Sequence, residues 1–191
     1  MRSAIRALEK HGLLLKQDKV LPSVVGLVTG ESLEGSWWSH PEARKIFAVL
    51  SELDDHEDVL FVKLIAGKDT LVHRRLWPAL VAVGSSGEAW QRDGLTLPAK
   101  RLLESVQRAT SGVEAAGAPA REVALRLLAV SSERHTEAGK HVRVLESWKG
   151  WAARRGVAPL SPAREARRAL QEAAASLGAS PSSLPWARSR S

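Results

Sequence analysis

The chain has 191 residues, 44% of them hydrophobic, and carries 28 Lys and Arg against 21 Asp and Glu for a net charge of +7. That is an ordinary globular composition, long enough to bury the core of one domain or of two small ones packed together. With no cysteine, disulfides and thiolate metal sites are excluded; no stretch approaches the ~20 apolar residues of a membrane span, and Met1-Arg2-Ser3-Ala4-Ile5-Arg6 has no apolar run behind it, so a soluble cytoplasmic protein is expected, with no membrane partner.

Ile5 and Leu8 followed by His11-Gly12 predict an amphipathic helix closed by the glycine, and residues 22–28 predict a short second helix entered through Pro22. Ser39-His40-Pro41-Glu42 has the spacing of a capping box, in which Ser39 accepts from the third helical N–H and Glu42 reaches back. Ile46, Phe47, Leu50 and Leu53 recur at helical spacing, so this helix runs to about Leu53 and stops in Asp54-Asp55-His56-Glu57-Asp58. Residues 59–65 and 70–73 are β-rich runs joined by Ala66-Gly67-Lys68-Asp69, a hairpin signal. A helix opened by Pro78 and ended near Gly84 follows, then a loop over 85–98, a helix over 98–110 and a Gly, Ala and Pro connector over 111–119.

Residues 121–130 are apolar enough for a helix or a strand, and residues 131–144, with Gly139 at the turn, predict a second hairpin that brings His135 and His141 close. Trp148, Trp151 and Ala152 start a helix ending at Gly156; Ser161 and Pro162 open the last one as N-cap and first helical residue. No internal repeat is visible. The predicted fold class is α+β, mostly helical with two β-hairpins: a winged-helix-like N-terminal part over 1–110 that holds the Trp, His and Arg motifs, a basic hairpin-plus-helices part over 119–178, and a disordered tail over 179–191.

Helix, helix, helix, hairpin over residues 3–73 is the order of a winged helix, whose third helix enters the major groove of duplex DNA. Two features depart from it. The link over residues 29–40 is far longer than a helix-turn-helix turn, and the would-be recognition helix ends among Asp54, Asp55, Glu57 and Asp58, which face phosphates badly. The expected contacts therefore shift to the wing, Lys63 and Lys68, and to the aromatic junction.

Gly35-Ser36-Trp37-Trp38-Ser39-His40-Pro41 and His73-Arg74-Arg75-Leu76-Trp77-Pro78 place rings and cationic or protonatable side chains just before helices, where outward N–H groups favour anions. Nucleic acid supplies both phosphate and flat rings, so Trp37, Trp38, His73, Arg74 and Arg75 form a candidate contact site. If the Trp pair is extended, the rings point to opposite sides, one into a core and one free to stack. Each motif also has a packing reading: Trp37-Trp38 as a core plug, Trp77 as an anchor, and Arg74-Arg75 paired with the acids of 54–58.

Charge is uneven. Residues 1–98 hold 12 Lys and Arg against 13 Asp and Glu, and residues 99–191 hold 16 against 8, giving −1 and +8. The positive field peaks at Lys140, Arg143, Lys149, Arg154, Arg155, Arg164, Arg167 and Arg168, a density suited to gripping a phosphate backbone, or else a solvated helical face.

GSWWSHP, KLIAGKDTLVHRRLWPAL and HTEAGKH with Leu145-Glu146-Ser147-Trp148 resemble a family of bacterial proteins of about this size that has no assigned activity. The resemblance spans most of the chain and implies one fold for these motifs, with no chemistry attached. The reading is a nucleic-acid-binding protein, DNA favoured over RNA, that needs no cofactor and no metal. Its first rival is a repair-type enzyme processing nucleic acid, with His40, His73, His135 or His141 as acid or base beside Glu137 or Glu146; its second is a module docking a protein through exposed Trp. No Ser-His-Asp arrangement, P-loop or dinucleotide fingerprint is present.

Overall fold

The structure, a computed structural model, describes residues 1–135 and 141–187, with the backbone alone for Arg134, His135 and His141. Helix α1 (Arg2–His11) buries Ala4 and Leu8 and ends because Gly12, at φ +79°, turns its N–H back to the Leu8 carbonyl. A side chain there would strike Leu76, so the left-handed cap is also a close approach. Strand β1 (Leu13–Leu15) is buried throughout. Helix α2 (Val24–Thr29) is capped by the Ser23 hydroxyl, which leaves Pro22 outside the helix rather than at its entry.

Helix α3 (Ala43–Asp54) buries Ile46, Leu50 and Leu53, one row at helical spacing. Strands β2 (Val59–Lys63) and β3 (Asp69–His73) form the first hairpin, and its tight turn needs positive φ at Ala66 and Gly67. A Cβ on Gly67 would stand 2.9 Å from Leu125 Cδ2, so this turn also abuts the second half of the chain. The sheet is antiparallel in the order β1-β3-β2.

From β3 the chain passes through a short turn into α4 (Trp77–Gly84), which has Pro78 in its first turn. The stretch expected as loop contains α5 (Ala89–Arg92), opened by a Glu88 and Gln91 capping box. Gln91 is fully buried, and its amide donates to the carbonyls of Val83 and Arg126 among others, tying two parts of the chain together. Then follow α6 (Leu97–Arg108), β4 (Val113–Glu114), α7 (Gly117–Leu125), β5 (Val130–His135), β6 (His141–Glu146), α8 (Trp148–Arg155) and α9 (Ala163–Ser176). The ambiguous residues 121–130 resolve as the end of α7 and the start of β5. The second sheet is antiparallel in the order β4-β6-β5. At α9 the N-cap is Pro162, one residue later than expected, without a side-chain cap.

The fold is α+β. Its cores do not divide at the 111–119 connector, which instead carries β4 and the start of α7. One core joins residues 4–83 to Leu127, Val130, Trp148, Trp151, α9 and Leu184; the other draws on residues within 95–145. The chain leaves the first core, builds the second and returns, α9 packing along α4. The tail expected as disordered winds into two short turns, Pro181–Ser183 and Pro185–Ala187, with Leu184 buried and Trp186 edge-on to Trp90. Residues 188–191 lie outside the described residues.

A topological repeat emerges that the residues do not announce. Helix, strand, helix, hairpin and a helix led by Trp occur as α1, β1, α3, β2-β3 and α4, and again as α6, β4, α7, β5-β6 and α8, with the same sheet order. Trp77 donates its indole N–H to the Val72 carbonyl and Trp148 to the Leu127 carbonyl, and both rings meet Trp151 edge to face.

Candidate nucleic-acid interface

The approach to α3 is wound by serines and a histidine rather than by the expected capping box. Ser36 accepts from the Trp38 N–H, the Ser39 hydroxyl donates to the Ser36 carbonyl, and His40 Nδ1 accepts from the Glu42 N–H. This curls Trp37–Ser39 into one 3-10 turn, so the two indoles lie on the same side rather than on opposite ones. They stack at 4.0 Å and 25°, with Trp37 buried at 6% exposure and Trp38 open at 64%. Phe47, one step round α3 from the buried row, sits 5.8 Å from Trp38 and is 44% exposed.

These rings open into a cleft of about 810 Å3 between the two like units, with α3 and β2 on one wall and α7, β5 and β6 on the other. Lys16, Arg121 and Arg143 bring positive charge to it, and Asp54 and Glu133 bring carboxylates. Crowding by protein at the cleft wall pushes the Asp54 carboxyl above its ordinary range, and the charges of Glu133 and Asp55 add to this while Lys16 opposes it.

Of the residues singled out in the sequence, Trp37, Trp38, Lys63 and Arg143 line this cleft, and Lys63 holds Asp69 at 2.7 Å. The others lie elsewhere. Lys68 binds Asp18 at 2.6 Å; Arg74 lies 3.0 Å from Asp58, an ion pair outside hydrogen-bond geometry; Arg75 donates to the Lys10 carbonyl at the end of α1. Arg74 thus follows the packing alternative, and Arg75 works as a cap on a helix C-terminus. On α8 and α9, Arg154 pairs with Glu146, Arg155 lies over the Trp77 ring, Arg167 pairs with Glu88 and Arg168 with Glu172, while Lys149 and Arg164 are exposed. Lys140 lies outside the described residues.

Among the described side chains, no histidine lines the cleft. His40, His56 and His73 each use Nδ1 to accept the backbone N–H two residues on, a turn-forming role. Burial, with Arg75 nearby, pushes the His73 imidazole below its ordinary pKa, favouring the neutral form that can accept. His135 and His141 face each other in register across β5 and β6, and their side chains, like Glu137, lie outside the described residues. Glu146, the other proposed partner, holds Arg154. Among the described residues no group of three or more His, Asp and Glu could hold a metal ion, and no helix is long and apolar enough to cross a membrane.

Lys16, Phe47, Arg121 and Glu133 enter the site unannounced by motif, and Asp54, expected to repel phosphate at the end of α3 or to pair with Arg74-Arg75, lines it instead. Only Phe47 carried a signal: Ile46, Leu50 and Leu53 already complete the buried row, and a large apolar residue one step round from it points off the core. No protein-family model, no curated protein and no solved structure matches the chain.

Proposed function

We propose that the protein binds nucleic acid, DNA in preference to RNA, with the cleft between its two units as the contact site. The observation that carries this reading is the meeting of an exposed stacking ring, Trp38, with Lys16, Arg121 and Arg143 in one cleft. A base has a π-face for the ring and a phosphate for the cations, and few other common ligands offer both. The +8 excess in residues 99–191 adds long-range attraction for a polyanion.

The order α1, β1, α2, α3, β2, β3 with sheet order β1-β3-β2 is that of a winged helix, which supports the same class by analogy. Its usual mode of contact is disfavoured here. The α3 terminus carries Asp54 and Asp55, and the wing lysines, Lys63 and Lys68, are held by carboxylates. Of the carriers named for the enzyme reading, His40 and His73 use Nδ1 to build turns, and the side chains of His135 and His141 lie outside the described residues. A docking surface for a basic protein segment is the second reading, favoured by Asp54, Asp55, Asp69 and Glu133 along the cleft.

Fluorescence anisotropy with labelled oligonucleotides, from low to physiological salt, tests the proposal. Affinity should fall steeply with salt, as counterion release requires. Absence of binding to DNA and RNA at low salt overturns it.

A further inference from the structure

Resting on the nucleic-acid reading, we infer that the cleft takes an unpaired base of a single strand, stacked on the open ring surface of Trp38, with Asp54 accepting hydrogen bonds from the base's amino edge. Trp37 stacks on one face of Trp38 at 4.0 Å and Phe47 lies tilted beside it at 5.8 Å, yet the ring is still 64% exposed, which leaves open ring surface for a ligand. A base inside a duplex has both faces covered by its neighbours and its pairing edge turned to its partner. Only an unstacked base can lie on the ring and present that edge.

The carboxylates decide what else can enter. Asp54 and Asp55 line the same cleft as the rings, and an anionic wall rejects phosphate at close range while accepting N–H donors. Phosphates of the bound strand are then left to Lys16, Arg121 and Arg143. Asp54 is also crowded by Asp55 and Glu133, a repulsion that an amino group donated by a ligand would relieve.

Bases differ in what they offer a carboxylate. Cytosine presents an exocyclic amino group, and adenine and guanine present amino donors too. Thymine presents one N–H between two carbonyl oxygens, which a carboxylate repels. Two pyrimidines of like size therefore separate edge recognition from stacking: a cytosine strand should bind more tightly than a thymine strand.

The experiment titrates the full chain with labelled dC and dT oligonucleotides of equal length, an rC strand, a duplex of that length, and dCMP as competitor. Expected are single strand over duplex, dC over dT by roughly tenfold, the value of one good carboxylate contact, and dCMP competing only weakly because it lacks the neighbouring phosphates. Effective competition by dCMP at micromolar concentration overturns the strand and assigns the site to a free nucleotide. Weaker binding of the rC strand than of dC agrees with the DNA preference; tighter binding overturns that preference.

Asp54→Asn should bring the dC to dT ratio close to one without lowering the thermal midpoint. Trp38→Ala should weaken both strands alike, by about tenfold, and Trp38→Phe should restore much of the loss. Equal binding of duplex and single strand, or a dC to dT ratio that survives Asp54→Asn, overturns this inference and leaves nucleic-acid binding standing. Failure of every oligonucleotide at low salt, with capture of a polylysine peptide instead, overturns both.

Discussion

The two units share a topology and differ in what they bring to the cleft between them. In the N-terminal unit the chain inserts α2 and a loop between β1 and α3, and that segment delivers Trp37 and Trp38, while α3 supplies Phe47 and Asp54. In the second unit the chain passes from β4 to α7 through Ala115 and Ala116 alone, and among the described residues the cleft receives Arg121, Glu133 and Arg143, with no aromatic ring. One frame, used twice, thus carries the stacking surface on one side and guanidinium groups on the other. Function resides in what is grafted onto the frame.

The cores differ as sharply. The first is large, carries Trp37, Trp77, Trp148 and Trp151, and recruits α8 and α9; the second is much smaller, built on Leu95, Leu103, Leu128 and Leu145 with Val and Ala and no Trp. A core this small buries little apolar area, so the second unit should depend on the first. Trp148 is the contact that enforces this, its N–H on the Leu127 carbonyl and its ring against Gly84 so closely that a Cβ there would overlap it. Trp148→Ala should cost about 3–5 kcal/mol, read by chemical denaturation, and amide exchange should then speed first within residues 95–145. If exchange rises evenly over both units, their dependence is mutual and the comparison fails.

The hairpin turn that touches the second unit gives the next largest effect. Gly67 is at φ +71°, and a side chain there meets Leu125. Gly67→Val should therefore cost more than the roughly 1 kcal/mol of an exposed glycine change. Thermal unfolding measures it; an unchanged midpoint would mean that the turn relaxes without loss.

Much of this frame is legible in the residues and little of the site is. Helix α3 is visible because Ile46, Leu50 and Leu53 mark a stripe, and the first hairpin because β-branched and aromatic residues flank Gly67. Helix α5 escapes notice because its Glu88 and Gln91 box lies in a stretch punctuated by Gly84, Gly87 and Gly94, which reads as loop. The tail misleads by its Ser and Pro content, although Leu184 is the anchor that outweighs it. The repeat is hard to see because few residues recur with the elements: Ala-Gly-Lys at 66–68 and again at 138–140, each followed by a Trp, nine residues on in the first and eight in the second. The cleft gathers Lys16, Trp37, Trp38, Phe47, Asp54, Arg121, Glu133 and Arg143, a set that only tertiary packing assembles.

Two carboxylates of the N-terminal unit should respond to acid with opposite signs. Burial pushes Asp18 up, but the Leu21 N–H, Lys68 and the Val20 N–H outweigh it and hold its carboxyl below the usual range. Its contribution is then present above about pH 4 and is lost as pH falls through the folded value. Asp54 is shifted upward, so its charge is disfavoured in the fold and stability is gained as pH falls through its folded value. At pH 7, Asp18→Asn should lower the thermal midpoint and Asp54→Asn should raise it. Equal shifts of one sign would show that Asp54 is not crowded as its position implies, and the cleft would lose its strained acceptor.

The smallest effect on stability bears most directly on where the proposed strand would be held. Arg74 is largely exposed beside Asp58, and surface pairs of this kind contribute about 0–1 kcal/mol. Arg74→Ala should barely move the midpoint, and because its charge already meets Asp58 it should leave oligonucleotide affinity and its salt slope nearly unchanged. Arg121→Ala, which removes a cation from the cleft wall, should weaken binding and lower the salt slope by about one unit. Both side chains are guanidinium groups near the surface, so a general electrostatic attraction would weaken equally in the two variants. If Arg74→Ala costs as much affinity as Arg121→Ala, the strand is held by the overall field rather than in the cleft, and the division of labour between the units does not extend to binding.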